Sequence, residues 1–412
     1  MLSSLREIAR FVMHNARWLG GGFLLTFYSS FGQTFFIGLF GNDIRATFNL
    51  SGGAFGGLYM IATISSAVTL LWLGRSLDVM PGWKVIRFTM PALALACLLM
   101  ALAPNVIILG FALFLLRLFG QGMMTETAFT EIGRWFSANR GRAIALITPG
   151  QQLGSTLLPA LVIFMTAATG NWRMPWFACA ILVLIVGFPM IYLLMRVERT
   201  PQSDDIQRAQ HRTARDWTRK EVIFDPVLYL LLAGTLAPAY IATVIFFQQG
   251  YLIELRGYSP SVFAIAFPIT SIMTVFSGIL CGFLVDRIGA LKLLPFFLAP
   301  LAVAAAAVAL VTPVWGVYVF MLLLGISNGF TSTLLGALWP EVYGVANLGG
   351  IRAIVVAAMV LSTAIGPGLS GLLIDMGIGL ATQMLWMSGW CVLASIALTL
   401  ASGIVRRREI LR

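Results

Sequence analysis

Gly282-Phe283-Leu284-Val285-Asp286-Arg287-Ile288-Gly289-Ala290-Leu291-Lys292 joins one long apolar run to the next. A looser version of the same stretch, Gly74, Asp78, Gly82 and Lys84, does so about 208 residues earlier. A polar glycine-aspartate turn repeated at that distance between apolar segments points to a chain built from two copies of one helical unit.

Working outward, the runs on either side are long enough to cross a bilayer. The chain has 412 residues, 59% of them hydrophobic and 10% charged, against roughly half and one quarter in soluble domains. It reads as an integral membrane protein. A hydrocarbon core of about 30 Å takes about 20 apolar residues per helix, and twelve such spans are predicted. Spans 1 to 6 run over 19–40, 54–73, 88–103, 106–128, 143–165 and 177–195. Spans 7 to 12 run over 226–247, 262–285, 291–311, 314–338, 354–374 and 379–403.

The basic residues orient these spans, because Lys and Arg collect in loops that remain in the cytoplasm. With the N-terminus inside, 23 of the 27 fall on the cytoplasmic side, among them Arg6, Arg75, Arg140, Arg212, Lys292 and Arg407. Arg45, Arg173 and Arg256 fall outside, and Arg117 lies within span 4. Both termini are expected in the cytoplasm. The net charge of +11 follows from this topology and from attraction to anionic lipid, so no nucleic-acid partner is expected.

The longest polar segment, 196–225, carries Asp204, Asp205, Arg208, Arg212, Arg215, Arg219 and Lys220, and reads as a solvated linker with a surface helix near Trp217. The domains expected are a six-helix bundle over 1–195, this linker, and a second six-helix bundle over 226–412. The first 18 residues form a basic amphipathic stretch, read as an interfacial helix and not as a cleaved signal. Cys97, Cys179, Cys281 and Cys391 lie in apolar spans and read as packing residues.

The repeated turn resembles the signature of the major facilitator superfamily, which is Gly, three residues, Asp, Arg, one residue, Gly and then basic residues. The second copy fits, with Asp286, Arg287, Gly289 and Lys292 in place. The first departs from it: Val79 stands where Arg is expected and Pro81 adds a residue before Gly82. Glu131 and Arg142 recur as Glu341 and Arg352 at a spacing of 210. The resemblance implies that Asp78, Glu131 and Arg142, and Asp286, Arg287, Glu341 and Arg352, pair as a latch when the cytoplasmic side is closed. Interfacial anchoring is the alternative, since exposed ion pairs contribute only ~0–1 kcal/mol.

An ionisable residue in hydrocarbon usually faces a cavity or a partner. Arg117 lies near the middle of span 4, with Gln121 one helical turn later on the same face. Two roles are open to Arg117: neutralising a substrate anion, or bonding to carbonyls and polar groups of neighbouring helices. Glu126 is a proton-coupling candidate about 13 Å nearer the cytoplasm at 1.5 Å per residue, with simple solvation as its other reading. By resemblance, spans 1, 4, 7 and 10 line a central cavity. That makes Tyr28, Ser29, Gln33, Tyr240, Ser327 and Asn328 substrate-binding candidates, although Ser, Asn and Gln also hold membrane helices together. Gln151 and Gln152 of span 5 stand in the same position. Gly52 with Gly56, Gly53 with Gly57, and Gly150 with Gly154 are spaced to let backbones approach closely.

Gly57, Tyr59, Ala62, Thr63 and Ala67, with Arg134, Trp135, Phe136, Arg140, Gly141 and Ala143, look like the monocarboxylate and oxalate/formate branch of the superfamily. That branch carries a cation in span 8 or 11 to hold a carboxylate, and this chain has none there.

The expected fold is all-α and integral to the membrane, with twelve helices in two pseudo-symmetric six-helix bundles. The function expected is alternating-access transport of a small organic solute, a monocarboxylate-like anion, across the inner or plasma membrane, with protons as candidate coupling ion. The alternative is an exporter of hydrophobic metabolites or drugs. A monomer in the lipid bilayer is expected, without cofactor or metal. An enzyme would need a convergent acid, base, nucleophile or metal cluster, whereas His14 and His211 fall in cytoplasmic segments and no paired carboxylates lie within the spans.

Overall fold

In the computed structural model, residues 2–136, 140–199, 217–344 and 347–410 are described, and every regular element among them is helical. Among the described residues, ten helices are long and apolar enough to cross a bilayer, from Gly52–Leu73 to Leu380–Arg408. Arg10–Gly38 followed by Gly41–Phe48 makes an eleventh at the place of span 1, and the shorter apolar helix Ala299–Leu310 stands at span 9. Helices are the outcome because a backbone in hydrocarbon must satisfy its own polar groups. Span 9 is short because Pro295 supplies no amide, so the turns around it separate Ala290–Leu293 from the main helix.

The chain divides into two compact units, Met1–Phe40 with Ile61–His211, and Gly41–Met60 with Arg212–Arg412. The division falls inside the helix Gly52–Leu73, so the first part of span 2 is grouped with the second half of the sequence. Much of the linker lies outside the described residues. Its end is a short helix, Arg219–Ile223, started by a capping box between Thr218 and Glu221.

Within the first unit, span 5 (Pro149–Thr169) packs on span 1 through glycines. A Cβ at Gly150 would overlap the Phe23 carbonyl, and one at Gly154 would overlap the Ser30 hydroxyl. Asn105 caps span 4 by accepting from the Ile108 amide at 3.0 Å. At the far end of span 3, Arg173 donates to the Ala101 carbonyl at 2.8 Å. Span 4 carries a π-helical stretch, Leu116–Met124, and span 6 another, Leu182–Gly187.

Within the second unit, spans 8 and 10 cross at Gly325 and Gly329, where a Cβ would meet Thr270 and Ser277. Thr270 Oγ1 donates to the Met321 carbonyl at 2.8 Å, a bond possible only at that short separation. Arg256 closes span 9 by donating to the Val311 carbonyl at 2.8 Å and to that of Val308. All four cysteines are buried thiols.

The two glycine-aspartate turns are built differently. Val262–Ile288 runs through Asp286 without a break and stops at Gly289, whose φ of +85° is costly for any residue with a Cβ. In the first copy the long helix ends at Leu73, a separate turn covers Ser76–Val79, and Met80 is extended at φ −127° and ψ 143°. Pro81 is the reason, because the residue before a proline is pushed out of the helical region.

Candidate functional site

Span 1 is not one continuous helix. The segment to Tyr28 is α-helical, Ser29–Gly32 is a tighter 3-10 turn, Gln33 is extended, and Thr34–Gly38 restarts the helix. This break lies against the π-helical stretch of span 4. A Cβ at Gly32 would overlap the Leu116 carbonyl and the Gln121 amide, and one at Gly120 would lie 2.7 Å from Gly32 Cα. Two glycines therefore bring two irregular backbones into contact.

Arg117 is buried at this crossing, 3% exposed, and donates to the Gly32 carbonyl at 3.1 Å and to Thr34 Oγ1 at 3.5 Å. The carbonyl is one that the broken helix leaves without its usual amide, so the guanidinium braces the break. Gln121 is half-buried beside it. The α-helical spacing expected between the two side chains does not carry through, because π turns close on the fifth residue and not the fourth.

The other candidates are placed as follows. Tyr28 is buried with its ring against Gly187 of span 6. Ser29 is fully buried and donates to the Thr26 carbonyl at 2.7 Å, and Gln33 at the break is half-buried. Glu126 is exposed on the helix that follows the π stretch. In the second unit, Ser327 is fully buried with its hydroxyl unpartnered, and Asn328 beside it is half-buried. Tyr240 lines a cavity of about 430 Å³ between spans 7, 11 and 12, with Gln383, Trp386 and Trp390.

Of the residues expected to form a latch, the two glutamates and Arg142 have defined partners. Glu131, 1% exposed, forms an ion pair with Arg134 at 3.1 Å and accepts from the Gly82 amide, the first residue of span 3. Arg134 also donates to the Leu77 carbonyl at 2.7 Å, tying the end of span 4 to the first glycine-aspartate turn. Glu341 accepts from the Ala290 amide at 3.2 Å, at the start of the short helix after the second turn. Each glutamate thus caps the helix that follows its turn, where the unsatisfied amides and the helix dipole favour a carboxylate. The guanidinium of Arg142 lies over the Phe11 ring at 5.7 Å, while Arg287 and Arg352 are exposed. The side chains of Asp78 and Asp286 lie outside the described residues.

A second carboxylate-arginine pair was not anticipated. Asp225 accepts from both terminal nitrogens of Arg408 at 2.9 and 2.8 Å, from the Tyr343 hydroxyl at 3.1 Å and from the Val227 amide at 3.2 Å. Burial acts to raise the Asp225 carboxyl pKa. The Arg408 guanidinium, the Val227 amide and the Tyr343 hydroxyl outweigh it and hold the carboxyl below its usual value. Trp217 stacks edge-on against Tyr343 and lies under the Arg408 guanidinium, so the end of the linker docks on the same cluster. An acid immediately before the Pro226 helix start was the visible signal.

Also unanticipated is the docking of residues 41–60 within the second unit. Phe55 stacks on Phe247 at 4.8 Å, and Asn42 donates to the Gly250 carbonyl at 2.9 Å. A Cβ at Gly52 would lie 3.5 Å from the Gly371 carbonyl oxygen, and one at Gly56 would overlap the Pro367 carbonyl. Gly57, by contrast, has open space where a Cβ would point. At the end of this seam Asp375 accepts from Ser51 Oγ at 2.6 Å and from the Gly52 and Gly53 amides at 3.1 and 2.7 Å.

Residues 22–367 match the Major Facilitator Superfamily. The chain belongs to that superfamily. It is similar to the glycerol-3-phosphate transporter of Bacillus subtilis, 27% identical over 185 residues, a match covering 40% of this chain and 41% of that relative. It is also similar to the gentisate transporter of Corynebacterium glutamicum, 21% identical over 369 residues, covering 85% of this chain and 80% of the relative. Among solved structures, the fold is shared with a bacterial homolog of the human lysosomal transporter Spinster, in its inward-facing and unoccupied conformation. That likeness has a TM-score of 0.68 at 15% identity over 95% of this chain and 98% of the other. The nucleoside transporter NupG shares it as well, at TM-score 0.69 and 14% identity over 93% and 99%. The chain is thus a multi-pass membrane protein with the major facilitator fold, in a family whose relatives here are transporters of small solutes.

Proposed function

We propose that this superfamily member is a secondary active transporter of a small organic anion, monocarboxylate-like, working as a monomer by alternating access in the inner or plasma membrane. Both termini are then cytoplasmic, as the distribution of Lys and Arg favours. The observation that carries the reading is the position of Arg117, a buried cation held against the break in span 1. Discontinuous helices near the middle of the membrane supply binding groups in many transporters. The substrate carboxylate would take the place of Thr34 Oγ1, held at only 3.5 Å, while the Gly32 carbonyl keeps its bond. The names that the two relatives carry, glycerol-3-phosphate and gentisate, are both those of organic anions.

Proteoliposomes loaded with radiolabelled short monocarboxylates test this. Saturable flux is expected, competed by other carboxylates and not by lipophilic cations, and an imposed pH gradient reads proton coupling and the part Glu126 plays in it. Transport of lipophilic cations without carboxylate flux would establish the exporter alternative instead. An Arg117→Gln protein that folds and transports at the wild-type rate would remove the anion site.

A further inference from the structure

The seam between residues 41–60 and span 11 is made largely of glycine. Gly52 and Gly56 lie against Gly371 and Pro367, and Gly53 lies against Leu372. Apart from Met60, which lies against Gly368, this surface is backbone on backbone, so its two faces can separate with little side-chain repacking. What holds it in register is therefore whatever polar contact closes its end. That contact is Asp375, whose two oxygens take the Ser51 hydroxyl and the first two amides of a 22-residue helix. Those amides have no partner within the helix, and a carboxylate there also meets the positive end of the helix dipole.

We propose that Asp375 is the latch of this seam, a positioning residue that holds residues 41–60 on span 11 and releases them once in each transport cycle. The inference rests on the alternating-access reading. Its geometry suits a reversible hold: the three bonds lie within one turn of one helix and meet a single carboxylate, so they break together. The Asn42 bond to Gly250 and the Phe55–Phe247 stack tether the same segment to span 7 and the residues just after it, independently of Asp375. Loss of the carboxylate therefore frees the span 11 side first.

Spin labels at Ala46→Cys and Met376→Cys, both exposed positions, report the separation in the full-length protein in lipid. The native cysteines are buried. The wild type is expected to give one dominant short distance. Asp375→Asn should lower the ratio of short to long distances about tenfold, the effect of losing one charge-assisted anchor. Ser51→Ala, which leaves the two amide bonds, should shift it in the same direction by less. If both variants return the wild-type distribution, the latch is overturned. A shift in the variants when the wild type in the same preparation shows no saturable monocarboxylate flux upholds Asp375 as the anchor of the seam and counts against the carrier reading alone.

Discussion

The two glycine-aspartate turns reach one result by different backbones. In the second unit the helix runs through Asp286 to Gly289, and one residue at positive φ delivers the Ala290 amide to Glu341. In the first, a separate turn, an extended Met80 and Pro81 deliver the Gly82 amide to Glu131. The shared element is a glutamate at the end of the fourth span of each half, 210 residues apart, placed where a helix begins. The turn sequence can change so long as an amide still arrives at that carboxylate. What differs is support: Glu131 is paired with Arg134, which also holds the Leu77 carbonyl.

If that pairing is the difference, Glu131→Gln should cost about 1–2 kcal/mol, more than Glu341→Gln, because the buried carboxylate loses its charge-assisted bond to the half-exposed Arg134. Thermal unfolding in detergent measures this, and a loss no larger than that of Glu341→Gln would break the distinction. Asp225 with Arg408 is the comparable supported cap in the second unit, and Asp225→Asn should cost about 2 kcal/mol. Its pH dependence has a definite sign. The folded carboxyl has the lower pKa, so its contribution is complete above the ordinary carboxylate value and is lost as pH falls through the depressed one. Unfolding midpoints taken toward acid should therefore converge for wild type and Asp225→Asn, and parallel curves would reject the assignment.

Smaller effects separate the two backbone routes. Gly289→Ala should cost about 1 kcal/mol by placing a Cβ at positive φ. Glu341→Gln should cost ~0.5–1 kcal/mol, the weight of a cap without an ion pair. Pro81→Ala should fall within about 0.5 kcal/mol, since Met80 can stay extended without it. Denaturant midpoints for the three, ranked in that order, would support the geometry of both turns. A Pro81→Ala loss equal to that of Gly289→Ala would show that the first turn depends on its proline as strongly as the second depends on its glycine.

The same pattern of shared ends and different centres appears inside the bundles. At the spacing that relates Glu131 to Glu341, Arg117 corresponds to Ser327. Arg117 bonds to a carbonyl exposed by a broken helix, whereas the Ser327 hydroxyl is buried without a partner. Ser327→Ala should consequently leave stability unchanged or raise it slightly, because no hydrogen bond is lost. A stable Ser327→Ala protein with transport reduced tenfold would assign the hydroxyl to the substrate. In Arg117→Lys, the compact ammonium would reach Gly32 or the substrate but not both.

Much of the fold was legible in the sequence because the solvent dictates it. Apolar runs of about twenty residues must become helices where no water can satisfy the backbone, and the repeat of Gly282 to Lys292 announces two copies. The interruptions were not legible. Nothing in the composition of Ser29 to Gln33 or of Leu116 to Met124 separates a 3-10 or π turn from an α turn. The irregularity exists because Gly32 and Gly120 allow two backbones to touch.

By itself, then, the sequence determined which segments cross the membrane and that a polar turn was used twice, since both follow from local composition acting against hydrocarbon. The tertiary structure alone decided that Arg134 reaches the Leu77 carbonyl while Arg142 lies over Phe11, that Arg117 braces span 1, and that residues 41–60 join the second unit through Asp375. Each of these depends on which distant backbone passes a given charge or glycine. That choice is made by packing among many helices of nearly equal hydrophobicity, and no single stretch of chain encodes it.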